Sequence, residues 1–242
     1  MARQSKSNLL KNMLKLYMNR LKTWDAKTSR NVDQFIANSS VVKRRILHYY
    51  QREADVIFPP INTSRFKRAT SIGDYYLIVS RLVSYKRIDL AIEAFKRNGL
   101  KLRIVGEGPD RKRLEAMAGP NIEFLGRLED EEVNKLMAEC RALVFPGEED
   151  FGITPLEANA AGRPVIAFQG GGALDTIVPH VNGVFFRKHQ VDDVLEAVAK
   201  VEQHAWNVDD IITHARKFDE DNFKDQLKKY VEQAYVNFLK GG

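Results

Sequence analysis

The sequence is poor in residues that support disulfide, redox or membrane-spanning structures. Its one cysteine, Cys140, cannot form an internal disulfide, and it falls on the apolar stripe of a predicted helix. We therefore expect an unreactive core thiol. No apolar run reaches the length needed to span a bilayer, and no secretory signal peptide is recognisable. These absences predict a soluble, cytoplasmic protein without redox chemistry.

The usual signatures of a metal site or a nucleophilic serine are also missing. The five histidines show no ligand spacing with cysteine or carboxylate residues, and no serine lies in a nucleophile elbow. The triplet Asp219-Glu220-Asp221 has the letters of a metal-binding D-x-D motif. It begins a predicted helix, however, where acidic residues interact favourably with the helix dipole. We interpret it as a helix cap and expect no metal.

Positive charge is concentrated at the N-terminus. Residues 1–30 hold eight Lys/Arg and one acid, a net +7, while the remainder holds 30 basic and 31 acidic residues, a net −1. Between the basic residues, apolar residues recur at three- and four-residue spacing, which predicts a basic amphipathic helix; they are Leu10, Met13, Leu14, Tyr17, Leu21 and Trp24. Such a helix lies on an anionic membrane surface, here the inner membrane face, or packs on protein. Nucleic acid is disfavoured because no basic-aromatic alternation continues elsewhere.

The rest of the chain alternates strand-length apolar runs with helical patterns. The predicted strands are Gln34–Asn38, Val56–Phe58, Tyr75–Ser80, Leu102–Val105, Ile122–Leu125, Ala142–Phe145, Pro164–Phe168 and Gly183–Phe186. The predicted helices are Ser39–Tyr50, Arg87–Asn98, Asp110–Ala118, Asp130–Cys140, Thr154–Ala161, Asp192–His204 and Glu220–Leu239. Because parallel strands need crossover connections, this alternation predicts an α/β fold with a doubly wound parallel sheet. Pro59-Pro60 interrupts the alternation as a hinge.

Ligands of such sheets bind at the carboxyl ends of the strands, so the loops there are candidate sites. Arg81 and Lys86 follow the first sheet strand, and two cations suit a diphosphate. Gly106 and Gly108 follow the next strand, where they either let backbone approach a ligand or form a tight turn. The third glycine of a dinucleotide fingerprint is missing, which disfavours an NAD-type oxidoreductase.

The loop before the predicted helix Thr154–Ala161 carries two further candidates. Backbone N–H groups at a helix start bind anions, and Pro155 suits the first turn because its missing N–H is not needed there. Glu157 would accept two hydrogen bonds from vicinal hydroxyls, as on a ribose, while Glu149 would reach hydroxyls farther out. The alternatives are a solvated loop acid for Glu149 and a first-turn acid favoured by the helix dipole for Glu157.

Taken together, these motifs resemble glycosyltransferase family 4. They are the E-x7-E spacing within EDFGITPLEANAAGRPVIA, together with SRLVSYKR, VGEGPDRKRL, FLGRL, FIANS and VIFPPINTSRF. The resemblance runs from about Trp24 to the C-terminus and is greatest to mannosyltransferases of O-antigen and related polysaccharide assembly. It implies the Rossmann-like C-terminal domain of the GT-B fold and retaining, metal-independent transfer from a nucleotide sugar. GDP-mannose is favoured over a UDP-sugar, and no cofactor is implied.

The resemblance implies a role for each matched residue. Arg81, Lys86 and Glu149 would be the catalytic set, the two cations binding the diphosphate and the carboxylate holding the sugar hydroxyls. Glu157 would hold the ribose. The remaining donor-binding residues would be Gly106, Gly108, Arg127, Leu128, Gly152, Ile153 and Thr154, with Arg127 and Leu128 bordering the base. Ser80 replaces the glycine usual before the arginine, which puts the backbone freedom of that loop in question.

The expected domain organisation departs from the family. Only about sixty residues stand before the hinge, where the family has an entire N-terminal acceptor domain. We expect residues 1–61 to form the basic helix and a remnant of that domain, 62–219 to bind the donor, and 220–242 to form a C-terminal helix. The partners would be a nucleotide sugar, a glycan or lipid-linked acceptor, and a missing N-terminal domain or a second copy. A non-catalytic nucleotide-sugar binding subunit that needs a partner chain is the alternative.

Overall fold

The computed structural model describes the backbone of residues 2–241 and the side chains of residues 11 and 13–240. The chain divides into two compact units, Met1–Val56 and Ile57–Gly242. Part of the predicted arm, including the side chain of Leu10, lies outside the described side chains.

The first unit consists of α1 (Ala2–Thr28), β1 (Phe35–Ala37), α2 (Ser40–Tyr50) and β2 (Ala54–Val56), with β1 and β2 paired in parallel. Helix α2 begins where the Ser39 hydroxyl accepts a hydrogen bond from the Val42 N–H at 3.1 Å, an N-cap. It ends at Tyr50, and the next residue, Gln51, adopts the left-handed conformation. The guanidinium of Arg52 then donates to the carbonyls of Val32 and Asp33, which ties β2 to the segment before β1.

The predicted strand Val56–Phe58 is wrong in position, since β2 ends at Val56. Two prolines follow at Pro59-Pro60, and proline cannot donate to a strand ladder. Phe58 packs instead against the rings of Phe151 and Phe218, with centroid separations of 5.7 and 5.6 Å. This residue therefore belongs to the second unit.

The second unit is a six-stranded, all-parallel sheet in the order β5-β4-β3-β6-β7-β8. Its strands are β3 (Tyr75–Val79), β4 (Lys101–Val105), β5 (Ile122–Gly126), β6 (Leu143–Phe145), β7 (Val165–Phe168) and β8 (Gly183–Phe186). Its helices are α3 (Ile88–Asn98), α4 (Arg111–Met117), α5 (Asp130–Glu139), α6 (Ile153–Ala160), α7 (Ala173–Thr176), α8 (Val191–Gln203), α9 (Val208–Arg216) and α10 (Glu220–Gly241). The predicted doubly wound α/β fold is confirmed. Strand order reverses between β3 and β6, which places the ligand crevice of such a sheet at their carboxyl ends.

Apolar cores cover both faces of the sheet. Along β3, Tyr76 and Ile78 belong to the core under α3 and α8, and Tyr75 and Leu77 belong to the core on the other face. Cys140 lies in that second core with no exposed surface, and its burial raises the pKa of the thiol to about 12. It is the core thiol that the sequence predicts.

Two helices were not predicted from the sequence, α7 and α9. The side chain of Asn207 accepts hydrogen bonds from the N–H groups of Asp209 and Asp210 and so caps α9. The signal was therefore present in the sequence Asn207-Val208-Asp209-Asp210, an asparagine at the cap and two acids in the first turn. Helix α7 has only four residues, too few for a periodic pattern.

The segment after the two prolines is tied to the junction of α9 and α10. The Ile61 N–H donates to the Phe218 carbonyl at 2.8 Å, and the Thr63 hydroxyl and N–H both donate to the Asp219 carboxylate. Asp219 also accepts from the Asp221 N–H at 3.3 Å, as a helix cap does. This arrangement agrees with the interpretation of the acidic triplet as a cap. None of the described helices is long and apolar enough to cross a membrane.

Loops at the carboxyl edge of the sheet pack backbone against backbone. A Cβ added at Gly171 would lie 2.2 Å from the Glu149 carbonyl oxygen, and one added at Gly106 would lie 1.9 Å from the Ser80 carbonyl oxygen. Both glycines also have positive φ values, +60° and +129°. No other residue type satisfies both conditions without strain.

Substitution of Gly171 tests how strongly this packing holds the edge together. Gly99 is the matched control, because its φ is +74° but an added Cβ would meet nothing within 4 Å. We expect Gly99→Ala to lower the free energy of unfolding by about 1 to 2 kcal/mol, the cost of the left-handed conformation. Gly171→Ala should lose about 1 to 3 kcal/mol more because the Glu149 backbone must move. Equal losses in urea unfolding would contradict the close packing.

Candidate active site

The candidate site lies where β3 and β6 end side by side. Arg81 follows β3, and Lys86 closes a 3-10 turn, Ser84–Lys86, just before α3. Glu149 lies in the loop between β6 and α6. The strand order brings these two loops together although they are far apart in sequence.

Lys86 and Glu149 form a direct ion pair, its Nζ contacting Glu149 Oε1. The two side chains are only 14% and 23% exposed, so water screens this pair less than a surface pair. Burial lowers the pKa of the Lys86 ammonium below its ordinary value. Gly147 allows the loops to meet, because a Cβ there would lie 2.8 Å from Lys86 Cα. Lys86 and Glu149, which lie on separate sequence motifs, are thus in direct contact in the structure.

Arg81 differs from Lys86 in its surroundings. Its side chain is exposed, and no hydrogen bond or ion pair links its guanidinium to another described residue. Arg127, at the end of β5, is exposed in the same way, whereas Leu128 packs against the second core. Of these three candidate cations, Lys86 is oriented by an ion pair, whereas Arg81 and Arg127 are exposed to solvent.

Helix α6 begins with an open N-terminus. Its first residues are Ile153 and Thr154, and Gly152 precedes them with a φ of +85° and no side-chain cap. A Cβ at Gly152 would lie 2.9 Å from Phe145 Cζ, so glycine lets the start of α6 pack closely against the last residue of β6. Pro155 lacks an N–H, and the N–H groups of Ile153 and Thr154 are therefore the ones directed out of the helix start. Such a start attracts an anion.

Glu157 lies one turn into α6 and is half-buried. Burial raises the pKa of its carboxyl above the ordinary value; Arg65 opposes this shift and Asp130 adds to it. Arg65 and Asp130 pair with each other at 2.6 Å. The Glu157 carboxylate is therefore held in a poorly solvated place beside a cation that is already paired, which suits it to accept hydrogen bonds from a ligand.

Gly106 and Gly108 serve the protein's own packing. Added Cβ atoms would lie 1.9 Å from the Ser80 carbonyl oxygen and 2.2 Å from the Leu82 carbonyl oxygen. These contacts account for glycine at both positions, and a contact with a ligand stays a prediction. Ser80 itself has no positive φ. The backbone at this position therefore does not require glycine, and serine fits without strain.

Sequence reasoning missed two features of this edge. Gly170, Gly171 and Gly172 follow β7 and support the loop that carries Glu149, whose carbonyl accepts a hydrogen bond from the Gly172 N–H at 2.8 Å. Three consecutive glycines after a strand were the available signal. The second missed feature is Arg65, whose side chain reaches the surroundings of Glu157 from a distant segment of the chain.

Comparison with known proteins identifies the family. The sequence model described as Glycosyl transferases group 1 matches residues 61–218. The chain belongs to this family. It is 30% identical over 178 residues to an uncharacterised glycosyltransferase of Methanocaldococcus jannaschii, covering 71% of this chain and 50% of that protein. It is 35% identical over 133 residues to a GDP-mannose-dependent alpha-mannosyltransferase of Corynebacterium glutamicum, covering 54% of this chain and 31% of that protein.

Solved structures share the fold. The Anabaena protein HepE, crystallised with UDP and glucose, superposes with a TM-score of 0.73 at 20% identity, covering 85% of this chain and 64% of HepE. The region that matches the Methanocaldococcus jannaschii glycosyltransferase spans about half the length of that protein. The resemblance to glycosyltransferases of the GT-B type inferred from the motifs is thereby confirmed. Within the described residues, no group of three or more His, Cys, Asp or Glu side chains is placed to hold a metal ion.

A double-mutant cycle on Lys86 and Glu149 tests the ion pair without any ligand. We expect a favourable coupling free energy of about 1 to 3 kcal/mol between Lys86→Met and Glu149→Gln, because the two groups touch and are shielded from water. The control pair is Lys101 with Asp74, 2.5 Å apart but 63% and 72% exposed. Lys101→Met and Asp74→Asn should couple much more weakly, because water screens both charges. A coupling at Lys86 and Glu149 no larger than the control would show that the pair is not formed in solution.

Proposed function

We propose that this chain is the donor-binding half of a retaining, metal-independent glycosyltransferase that takes a nucleotide-diphosphate sugar, with GDP-mannose as the donor. Membership of the group 1 family supports glycosyl transfer over NAD-dependent oxidation. The GDP-mannose dependence of the Corynebacterium glutamicum relative supports the donor. The acceptor would be a growing polysaccharide or a lipid-linked glycan.

The observation that carries the proposal is the Lys86–Glu149 pair. A donor of this class presents a diphosphate directly next to a sugar, so its site needs a cation and a hydroxyl acceptor side by side. The Lys86 ammonium has three N–H donors and can bind phosphate oxygen while it still contacts Glu149. The Glu149 carboxylate would accept hydrogen bonds from the sugar hydroxyls.

Catalysis in this scheme is electrostatic. When the sugar–phosphate bond breaks, negative charge grows on the departing diphosphate. Arg81, Lys86 and the start of α6 would stabilise that charge, the helix through the N–H groups of Ile153 and Thr154. Because Lys86 is oriented beforehand by Glu149, little reorganisation would be needed at the moment of reaction.

The remaining donor contacts follow the resemblance. Glu157 would hold the ribose diol, and its raised pKa and half-buried position support that role. Arg127 and Leu128 would border the base, and the backbones of Gly106, Gly108 and Gly152 would lie against the donor. The alternative, a nucleotide-sugar binding subunit without activity of its own, predicts the same binding but no transfer.

Nucleotide binding is the first test. In a thermal-shift panel of GDP, UDP and ADP and their sugars at equal concentrations without added metal, GDP-mannose should stabilise the chain most. At a hundredfold excess over its dissociation constant the stabilisation should be about 2.7 kcal/mol. Lys86→Met should weaken GDP binding at least about tenfold, the lower range for a charge-assisted contact. Lys112→Met, an exposed lysine on α4, is the control and should bind normally. Absence of any nucleotide effect would overturn the proposal.

Transfer is measured separately, with labelled GDP-mannose and lipid-linked acceptors, with and without an added acceptor domain from a relative. A group 1 enzyme reacts in a cleft that must exclude water. We expect transfer only in the presence of the acceptor domain. Nucleotide binding without transfer under either condition would favour the binding-subunit alternative.

The raised pKa of Glu157 predicts a pH dependence of nucleoside affinity. In the free protein burial keeps the carboxyl protonated to a higher pH than usual. Hydrogen bonds from a ribose diol favour the ionised form and lower the pKa in the complex. Affinity should therefore increase as pH rises through the free protein's raised pKa. Calorimetry with guanosine between about pH 4 and pH 7 covers the range in which glutamate titrates.

Glu157→Gln should bind guanosine about tenfold more weakly at neutral pH and show no such pH dependence, because the amide does not ionise. Glu131→Gln, an exposed acid on α5, is the matched control. If Glu157→Gln keeps the pH dependence of the unmodified chain, Glu157 does not hold the ribose.

A further inference from the structure

Helix α1 presents a continuous apolar arc. At 3.6 residues per turn, Leu10, Met13, Leu14, Tyr17, Leu21 and Trp24 fall within about 100° of its circumference. Among the side chains that the structure describes, Met13, Leu14, Tyr17 and Trp24 are 59–63% exposed. Among the described side chains, apolar residues are thus left open to solvent from Met13 to Trp24, over about three turns of the helix.

Basic side chains border this arc on both sides. Lys11, Lys15 and Lys22 lie along one edge of the arc, and Arg20 and Lys27 lie along the other. All five are exposed. The one acidic residue of α1, Asp25, lies beyond Trp24, and its carboxylate accepts a hydrogen bond from the Tyr50 hydroxyl at 2.8 Å. The helix therefore presents an apolar strip between two rows of positive charge.

The charge of the whole first unit has the same sign. Met1–Val56 holds 12 Lys/Arg and 4 Asp/Glu, a net +8, whereas Ile57–Gly242 holds 26 and 28, a net −2. The basic character of the protein thus resides entirely in the unit that carries α1. An anionic surface is the complementary partner.

We propose that α1 is a membrane-surface helix that lies in the headgroup region of an anionic bilayer with its apolar arc towards the acyl chains. A bilayer surface supplies both requirements at once, an apolar layer and flanking anionic phosphates. Tyr17 and Trp24 are the residue types that prefer this interface. Nucleic acid matches the charge but not the aliphatic arc, and a protein groove would not need basic residues along both edges. The helix is not apolar enough to cross.

Vesicle sedimentation of the full chain tests the proposal. We expect binding to vesicles of equal parts phosphatidylcholine and phosphatidylglycerol, weak binding to phosphatidylcholine alone, and weakening by high salt because the attraction is partly electrostatic. Leu14→Gln with Leu21→Gln should reduce the bound fraction at least about tenfold by removing apolar contacts. Circular dichroism and GDP binding confirm that the variants are folded.

The charge requirement is tested with two variants that have the same net charge. Lys15→Glu with Lys22→Glu changes the net charge from +6 to +2, and so does the control Lys112→Glu with Lys135→Glu on α4 and α5. The α1 variant should lose vesicle binding at least about tenfold, given the loss of attraction near the surface per basic residue. The control should keep it.

The position of the arc is tested by fluorescence. Trp24 and Trp206 are the two tryptophans, so Trp206→Phe leaves Trp24 as the sole reporter. Its emission should shift to the blue on anionic vesicles and be quenched by brominated acyl chains. Absence of vesicle binding, or equal binding by the α1 and control variants, would overturn the proposal. So would dimerisation in solution that the two glutamine substitutions abolish, because the arc would then be covered by a second copy.

Discussion

The candidate site depends on the close approach of loop backbones at the carboxyl edge of a parallel sheet. Side chains normally keep two loops apart, yet here glycine at positions 106, 147 and 171 lets one backbone lie against the next. The loop that carries Glu149 is thereby held between Lys86 on one side and the glycines after β7 on the other. A carboxylate and a lysine reach contact distance because the chain around them cannot relax away. The contact between Lys86 and Glu149 therefore depends on the packing of the loop backbones around it.

Much of the fold could be predicted from the sequence because it depends on local patterns. The central strands of the second unit, β3, β6 and β7, are short apolar runs buried on both faces. The helices between the strands carry a clear apolar stripe, as in α3 and α8. The exceptions are informative. The expected strand at Val56–Phe58 failed because Phe58 is recruited by Phe151 and Phe218, which are far away in sequence. Helix α7 is too short for any periodicity to show.

The candidate residues of the site could be named from the sequence, but their spatial arrangement could not. Spacing placed Lys86 and Glu149 on separate loops, and no local signal says that the two form an ion pair. That contact depends on β3 lying beside β6. Arg65 could not be assigned from its own segment, because its influence on Glu157 comes through tertiary packing. At Gly106 and Gly108 the sequence left a ligand contact and a tight turn both open. The close approach of the Ser80 and Leu82 backbones accounts for glycine at these positions, while the ligand contact stays a prediction.

The pairing of β3 with β6 also bears on how the chain folds. Strand β3 acquires its partner β4 early, but Leu77 on its other edge pairs with Leu143, which emerges much later during synthesis. Contacts between distant segments form slowly because a long loop must first be closed. In that interval half of the sheet, β3, β4 and β5, presents an apolar strand with an open edge, which is the kind of surface that associates with other chains. The same strand order that creates the crevice therefore leaves an apolar strand edge open in the growing chain until β6 has been made.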